Sequence, residues 1–351
     1  MSTHAPTEAF AARYERPLVP WGALSVIGDD HIREAKPDQD ACAGDPFYKA
    51  FAIGDGLGST KDADKTSQTI TSGFVDAWGK AIEAAFNPVT GDPRLAARWS
   101  TVKIAAHCVA EANRGLWDRK DSGTIHPEGK STLTGVLCDG VGYAAVQIGD
   151  SFGLDLDVFT RRMSQLAGGP QTDPEMPWVM YNSIGGPNRG GRLRDASEDR
   201  IEYLPLAEDK PTRVILLTDG VLKGLELWYE EEDPEVVLER MVRHIASLEN
   251  PQDVANFLVH VIARGKGRRT LPNRCGDDAS AEAVDLPPAP SRLYLPDGPE
   301  AQPRRPRIVI PQLRLVYDED WDPKRPPGSG GAARRIVRPA GGAAVRHIGR
   351  L

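Results

Sequence analysis

Two amphipathic helices follow one another in this chain with no strand between them, and that removes most layered α/β folds. From 64 to 86, Ile70, Phe74, Trp78, Ile82 and Ala85 recur at three- and four-residue steps, which marks one helical face. A second helix is predicted over 93–117. Leu95, Trp99, Val102, Ala106, Val109 and Leu116 share its apolar face, and Pro93 suits its first turn. Strands are read ahead of this pair at 22–28 and 48–54, and behind it at 131–138, 142–149 and 154–160. Asp139-Gly140 between two of them is a hairpin turn. The segment 161–200, rich in Gly, Pro and charge, reads as a long loop region. A buried strand, RVILLTD at 213–219, precedes a second pair of helices near 234–248 and 252–264, each with a proline near its start. A short strand, ASAEAV, closes the series at 279–284. Helices in pairs do not alternate with strands as a βαβ fold requires. They predict an α+β fold of two antiparallel sheets packed together with helices on the outside.

Charge is divided along the chain. Residues 285–351 hold 12 Lys and Arg against 7 Asp and Glu, a surplus of +5, which leaves −12 on residues 1–284 of a chain whose net charge is −7. An acidic body argues against nucleic-acid binding by the folded part and suits one that holds cations. No apolar run approaches the ~18 residues of a membrane-spanning helix, and no apolar segment stands behind basic residues at the start, so neither a membrane span nor a secretory leader is expected. The four cysteines, Cys42, Cys108, Cys138 and Cys275, are far apart and form no metal-binding spacing. They read as reduced thiols of a cytoplasmic protein. Three units are expected: an N-terminal extension at 1–21, a folded body at 22–284 and a Pro/Arg-rich tail at 285–351. The tail, with PPAP, QPRRPR and KRPPGSGG, reads as disordered or extended, with one apolar island at 307–321. It is either a solvated linker or a docking arm.

The chemistry lies where strands end. Asp40 in KPDQD, Asp55 in FAIGDGLG, Asp150 in QIGDS, Asp219 in LLTDG and Asp277 in CGDDAS stand at predicted strand ends or in the loops beside them. Each alone is weak evidence, since Asp-Gly is most often a turn and Asp277-Asp278 by itself a solvated loop. Together, at one edge of a sandwich, unpaired carboxylates repel, and hard divalent cations such as Mg²⁺ or Mn²⁺ relieve that repulsion. With no side chain at Gly56, its carbonyl can approach an ion beside Asp55. Two ions sharing Asp55 would lower the pKa of a water between them and make it a nucleophile toward a phosphate ester. The histidines offer no rival centre. They are scattered without an HExxH pattern, and Ser151 lacks a nucleophile elbow.

In order, DQD (38–40), FAIGDGLG (51–58), KSTLTGVL (130–137), QIGDS (147–151), VILLTDG (214–220) and GDDASAEAV (276–284) resemble the metal-dependent Ser/Thr protein phosphatases, the type 2C or PPM-type group, in a divergent, bacterial-like form. YNSIGG (181–186) is similar to the family's segment closing its flap. The resemblance spans about 22–284. It implies a four-layer α-β-β-α sandwich with one ion held by Asp55, Asp219 and Asp277, and another by Asp40, Asp55 and the Gly56 carbonyl. Asp150, with Asp219, resembles a weaker third site, so two or three Mn²⁺ or Mg²⁺ ions are implied. The implied reaction is in-line hydrolysis of phosphoserine or phosphothreonine in a phosphoprotein, without a covalent intermediate. A monomer with a cognate Ser/Thr kinase as partner is expected by analogy. The chain departs from the pattern in three places. Asp38 stands where Asn is usual. Ala35 stands where an Arg ordinarily grips the substrate phosphate, leaving Arg33 or Lys36 as substitutes. The flap segment between Ser151 and Tyr181 is short. The missing Arg leaves a second reading open, a pseudophosphatase that binds phosphoproteins and regulates a kinase.

Overall fold

The computed structural model describes residues 18–58, 60–86, 101–167, 183–185, 201–229, 232–265 and 276–289. The chain runs β1 (Trp21–Val26), α1 (Asp29–Arg33), β2 (Asp40–Asp45), β3 (Ala50–Asp55), α2 (Ala63–Phe86) and α3 (Thr101–Asp121). Strands β4 (Leu133–Cys138), β5 (Gly142–Ile148), β6 (Phe152–Asp157), β7 (Arg162–Gln165), β8 (Ile201–Pro205) and β9 (Thr212–Leu217) follow. Then come α4 (Asp219–Tyr229), α5 (Pro234–Ser247), α6 (Pro251–Phe257), a π-helical continuation (Leu258–Ala263) and β10 (Ala279–Leu286). The strands form two five-stranded sheets, β1-β10-β9-β6-β7 and β2-β3-β4-β5-β8, and every pairing is antiparallel. The fold class read from the sequence is the one observed.

Three apolar layers hold the sandwich. Between the sheets lie Phe51, Ile53, Val136, Tyr143, Val214, Leu216, Val284 and Leu286, all fully buried. Outside the β2–β8 sheet, Ile70, Phe74, Trp78 and Leu116 of α2 and α3 pack on Leu133, Leu137 and Ile148. Outside the other sheet, Met241 and Ile245 of α5, with Val254 and Val259 beyond it, cover Ile215, Leu217, Ala279 and Ala281. Residues of β9 and β10 thus divide by parity between an inner and an outer layer, as a strand period of two dictates. Each large side chain so buried contributes roughly 1.5–3 kcal/mol.

Local chemistry sets the turns and ends. The Asp139 carboxylate accepts from Val141 N and Gly142 N, both at 2.8 Å, and Gly140 takes φ +90° in the β4–β5 hairpin. Asp233 and Asn250 cap α5 and α6 by accepting from Glu235 N and Gln252 N, with Pro234 and Pro251 in the first turns. Among predicted elements, α2 runs as expected. The second helix is described from Thr101; Pro93, Leu95 and Trp99 lie outside the described residues, as do Cys275, 307–321 and most of 161–200. The flanking strands begin and end one or two residues from the expected bounds: β1 opens at Trp21 and β10 continues to Leu286. The structure adds α1, β2, β7, β8 and α4. The strand read as 213–219 ends at Leu217, and Asp219 begins α4 instead. No described helix is long and apolar enough to cross a membrane.

Candidate metal centre

Strands β2 and β3 pair so that Asp40 lies directly opposite Asp55. Like charges in that position destabilise a sheet, so the register itself presents a problem of charge. The other acids add to it. Asp219, at the first turn of α4, comes within hydrogen-bonding reach of Asp55. Asp277, ahead of β10, and Asp150, after β5, also act on Asp55 through their charge. Burial, followed by repulsion from Asp38 and Asp219, pushes Asp40 well above the ordinary carboxylate range, and burial followed by repulsion from Asp40, Asp219, Asp277 and Asp150 does the same to Asp55. Burial raises Asp219 as well. Asp150 is pushed up to about 6 by burial and then by Asp219. The five acids singled out from the sequence therefore share one neighbourhood.

A frame of neutral groups fixes them. Thr218 donates from Oγ1 to Asp40 Oδ2 at 2.8 Å and accepts from Ser280 N at 2.9 Å, joining β9, β10 and β2. Thr132 Oγ1 accepts from Asp55 N at 2.8 Å and lies 2.7 Å from Ser151 Oγ. This links the KSTLT strand to the GDS turn beneath the acids. Gly56 N donates to Gln39 O at 3.0 Å. A Cβ on Gly56 would stand 2.3 Å from Ala63 O and 2.9 Å from Gln39 O, so the glycine is required by close backbone approach. Gly220 is tighter still, because a Cβ there would meet Asp278 O at 1.8 Å. Gly56 is bridged to Ser131, and Ser131 to Ile184. The described part of the YNSIGG segment, 183–185, is thereby laced to the end of β3. Lys120 donates to Gly185 O at 2.8 Å and holds it against α3.

Asp278 has a different place from its neighbour. It is 2% exposed and accepts from Gly28 N and Gln39 N, both at 2.6 Å, with His31 Nδ1 2.8 Å away. It is a tie between α1, the approach to β2 and β10, and the solvated loop expected for the pair holds only for Asp277. Asp38 accepts from Ser25 Oγ at 2.5 Å and from Asp40 N at 3.1 Å, so it orders the backbone beside Asp40.

The substitutes named for the phosphate-gripping Arg lie at and just beyond the end of α1. Arg33 pairs with Asp30 and is 75% exposed, and Lys36 pairs with Glu34 at 2.6 Å. Ala35, in the position of the usual Arg, sits at φ +52° and closes α1, with Lys36 N donating to His31 O. Among the described residues, a cation that does reach the acids is Lys223 of α4, which the sequence reading passed over. Its Nζ lies 2.6 Å from Asp219 Oδ2 and 2.5 Å from Asp277 Oδ2. A lysine four residues after an acid on one helix was the available signal.

Among the described residues no three His, Cys, Asp or Glu side chains stand ready-made as a cation cage, and Lys223 lies between two of the acids. The donor set nevertheless suits a hard cation. It is composed of oxygens, it carries uncompensated charge, and Asp150 Oδ1 is buried with no hydrogen-bond partner.

The sandwich of two antiparallel sheets with helix pairs outside is shared by solved PPM-type phosphatases. Residues 27–165 match the family model described as Protein phosphatase 2C. Solved structures share the fold. PppA, described as a key regulatory component of T6SS in Pseudomonas aeruginosa, aligns with TM-score 0.51 and 18% identity, over 76% of this chain and 97% of its own. The catalytic domain of the serine threonine protein phosphatase PstP, in complex with two manganese ions, aligns with TM-score 0.51 and 16% identity, over 76% and 97%. Stp1 from Staphylococcus aureus aligns with TM-score 0.53 and 11% identity, over 82% and 99%. No curated protein matches the chain. The resemblance read from the ordered motifs is thus borne out by the family model and by the fold.

Proposed function

We propose that the protein is a divalent-metal-dependent phosphatase acting on phosphoserine and phosphothreonine in proteins. The observation that carries this is the convergence of Asp40, Asp55, Asp150, Asp219 and Asp277, brought from five separate segments to one partly buried, mutually repelling cluster. Buried like charges persist when a cation is their partner. Asp55, Asp219 and Asp277 would hold one Mn²⁺ or Mg²⁺, and Asp40, Asp55 and the Gly56 carbonyl the other. Asp150 with Asp219 would serve a weaker third. When bound, such ions lower the pKa of water and offset the charge of a phosphate monoester.

The chain's own groups do the positioning. Thr218 and Asp38 hold Asp40 and its backbone in place. Thr132 fixes the backbone of Asp55 by accepting from its N–H. Burial favours the protonated forms of Asp40 and Asp55, and a bound cation would favour the ionised ones. The substrate is a phosphoprotein, a cognate Ser/Thr kinase is its natural counterpart, and a cytoplasmic setting suits both.

The test is hydrolysis of para-nitrophenyl phosphate and of a phosphothreonine peptide by the chelator-stripped protein. Activity is expected only with added Mn²⁺ or Mg²⁺, and it is expected to vanish in Asp55→Ala and Asp219→Asn with the circular-dichroism spectrum retained. Turnover in excess chelator, or wild-type rates in either variant, would refute the reading. One observation favours the second reading, a phosphoprotein-binding regulator of a kinase: Arg33 and Lys36, the substitutes for the Arg that the resemblance would put at Ala35, are engaged by their neighbours. Metal binding and phosphopeptide binding without turnover in the same assay would select it.

A further inference from the structure

Lys223 stands apart from every other cation described near the cluster. Its ammonium sits between Asp219, one helical turn back on α4, and Asp277, across on the approach to β10. Its charge also reaches Asp150, whose other neighbours, Asp219 and Asp277, are acidic. Among the described residues its ion pairs are with Asp219 and Asp277 and not with Asp40 or Asp55, and Asp55 faces the charges of Asp40, Asp219, Asp277 and Asp150. The lysine therefore neutralises one side of the cluster and leaves the Asp40–Asp55 side uncompensated. Its side chain is 47% exposed and carried on a flexible stem, so water is within its reach.

We propose that Lys223 is a tethered competitor for a divalent cation. Its ammonium holds Asp219 and Asp277 together in the metal-free protein and swings into solvent when an ion takes its place. This rests on the metal-dependent reading above and adds to it a built-in threshold. The ion shared by Asp219 and Asp277 must displace an internal charge, whereas the ion beside Asp40 displaces none. The chain would then engage its two ions in order, the Asp40–Asp55 side first.

Calorimetric titration of Mn²⁺ into chelator-stripped full-length protein tests this in wild type, Lys223→Gln and Arg114→Gln. Arg114, an exposed residue of α3 paired with Glu111, controls for the loss of one positive charge. Lys223→Gln is expected to bind the weaker ion about tenfold more tightly, the worth of two half-exposed ion pairs, with Arg114→Gln unchanged. In chelator, Lys223→Gln is expected to melt below wild type, and Mn²⁺ is expected to raise its melting temperature further than it raises wild type's. A second measurement needs no substitution: labelling of Lys223 by an amine-reactive reagent, read by peptide mass spectrometry, is expected to rise on adding Mn²⁺. Affinities within twofold of wild type in Lys223→Gln, or Lys223 labelling indifferent to Mn²⁺ that calorimetry shows to be bound, overturn the competitor role alone. Absence of Mn²⁺ binding in every variant overturns the metal-dependent reading itself.

Discussion

Asp277 and Asp278 are adjacent in sequence and opposite in circumstance. The Asp277 side chain is 36% exposed and meets Lys223, while Asp278 is buried and accepts two backbone N–H groups at 2.6 Å. Removing a buried acceptor leaves its donors unsatisfied, which costs about 1–3 kcal/mol for each. Asp278→Ala is therefore expected to lower unfolding free energy by roughly 3 kcal/mol or more, measured by urea denaturation in chelator. Asp277→Ala is expected to cost less than about 1 kcal/mol, since it loses a half-exposed ion pair and removes a charge that acts against Asp55 and Asp219. Under the metal-dependent reading the order reverses for ion binding, and Asp277→Ala is the more damaging of the two. Sequence could flag the dipeptide but not tell its members apart, because burial of Asp278 depends on Gly28 and Gln39, some 240 residues away.

At the scale of elements, the site depends on how β9, β10 and α5 are joined. Arg213 is 3% exposed and clamps Asp285 with Nε–Oδ1 at 2.7 Å and Nη2–Oδ2 at 2.8 Å. Its remaining nitrogen donates to Ile245 O and Leu248 O at the end of α5. One side chain thus satisfies the carbonyls of a helix end and ties two central strands. Arg213→Ala is expected to destabilise the protein by about 3–5 kcal/mol, as breaking a buried pair does, with the Mn²⁺ affinity of the folded fraction unchanged. Loss of metal affinity at full foldedness would contradict that separation. The elements legible in sequence were those with a strong period or punctuation: α2, the β4–β5 hairpin, and α5 and α6 with their prolines. Strand β2, DACAGD, offers no large alternating residues and is held by pairing with β3. Helix α4 starts on Asp219, two residues after the apolar run of β9, so in sequence the two read as one strand signal.

For the molecule as a whole, the carboxylate cluster couples folding to pH and, under the metal-dependent reading, to metal. An acid whose folded pKa is raised lends stability below its unfolded value near 3.8 and loses it as pH climbs through the folded value. For Asp150 that window runs from about 4 to about 6. The more deeply shifted Asp40 and Asp55 extend it upward. Divalent ions reverse the penalty by preferring the ionised form. The rise in melting temperature produced by Mn²⁺ is therefore expected to be small at pH 5 and to grow toward pH 7.5, measured by scanning calorimetry with and without chelator. A metal-induced rise that does not depend on pH would contradict the partly buried, repelling cluster.

What the sequence determined alone was the list of acids, the α+β class and the order of most elements, because strand and helix periods and Asp-Gly punctuation are local properties. Tertiary structure decided the rest. It set Asp40 against Asp55 by strand register, turned Asp278 inward as a tie, left Arg33 and Lys36 at and just beyond the end of α1, and brought Lys223 between Asp219 and Asp277. Each of those outcomes depends on which distant backbone or charge arrives beside a residue, and no local pattern carries that information.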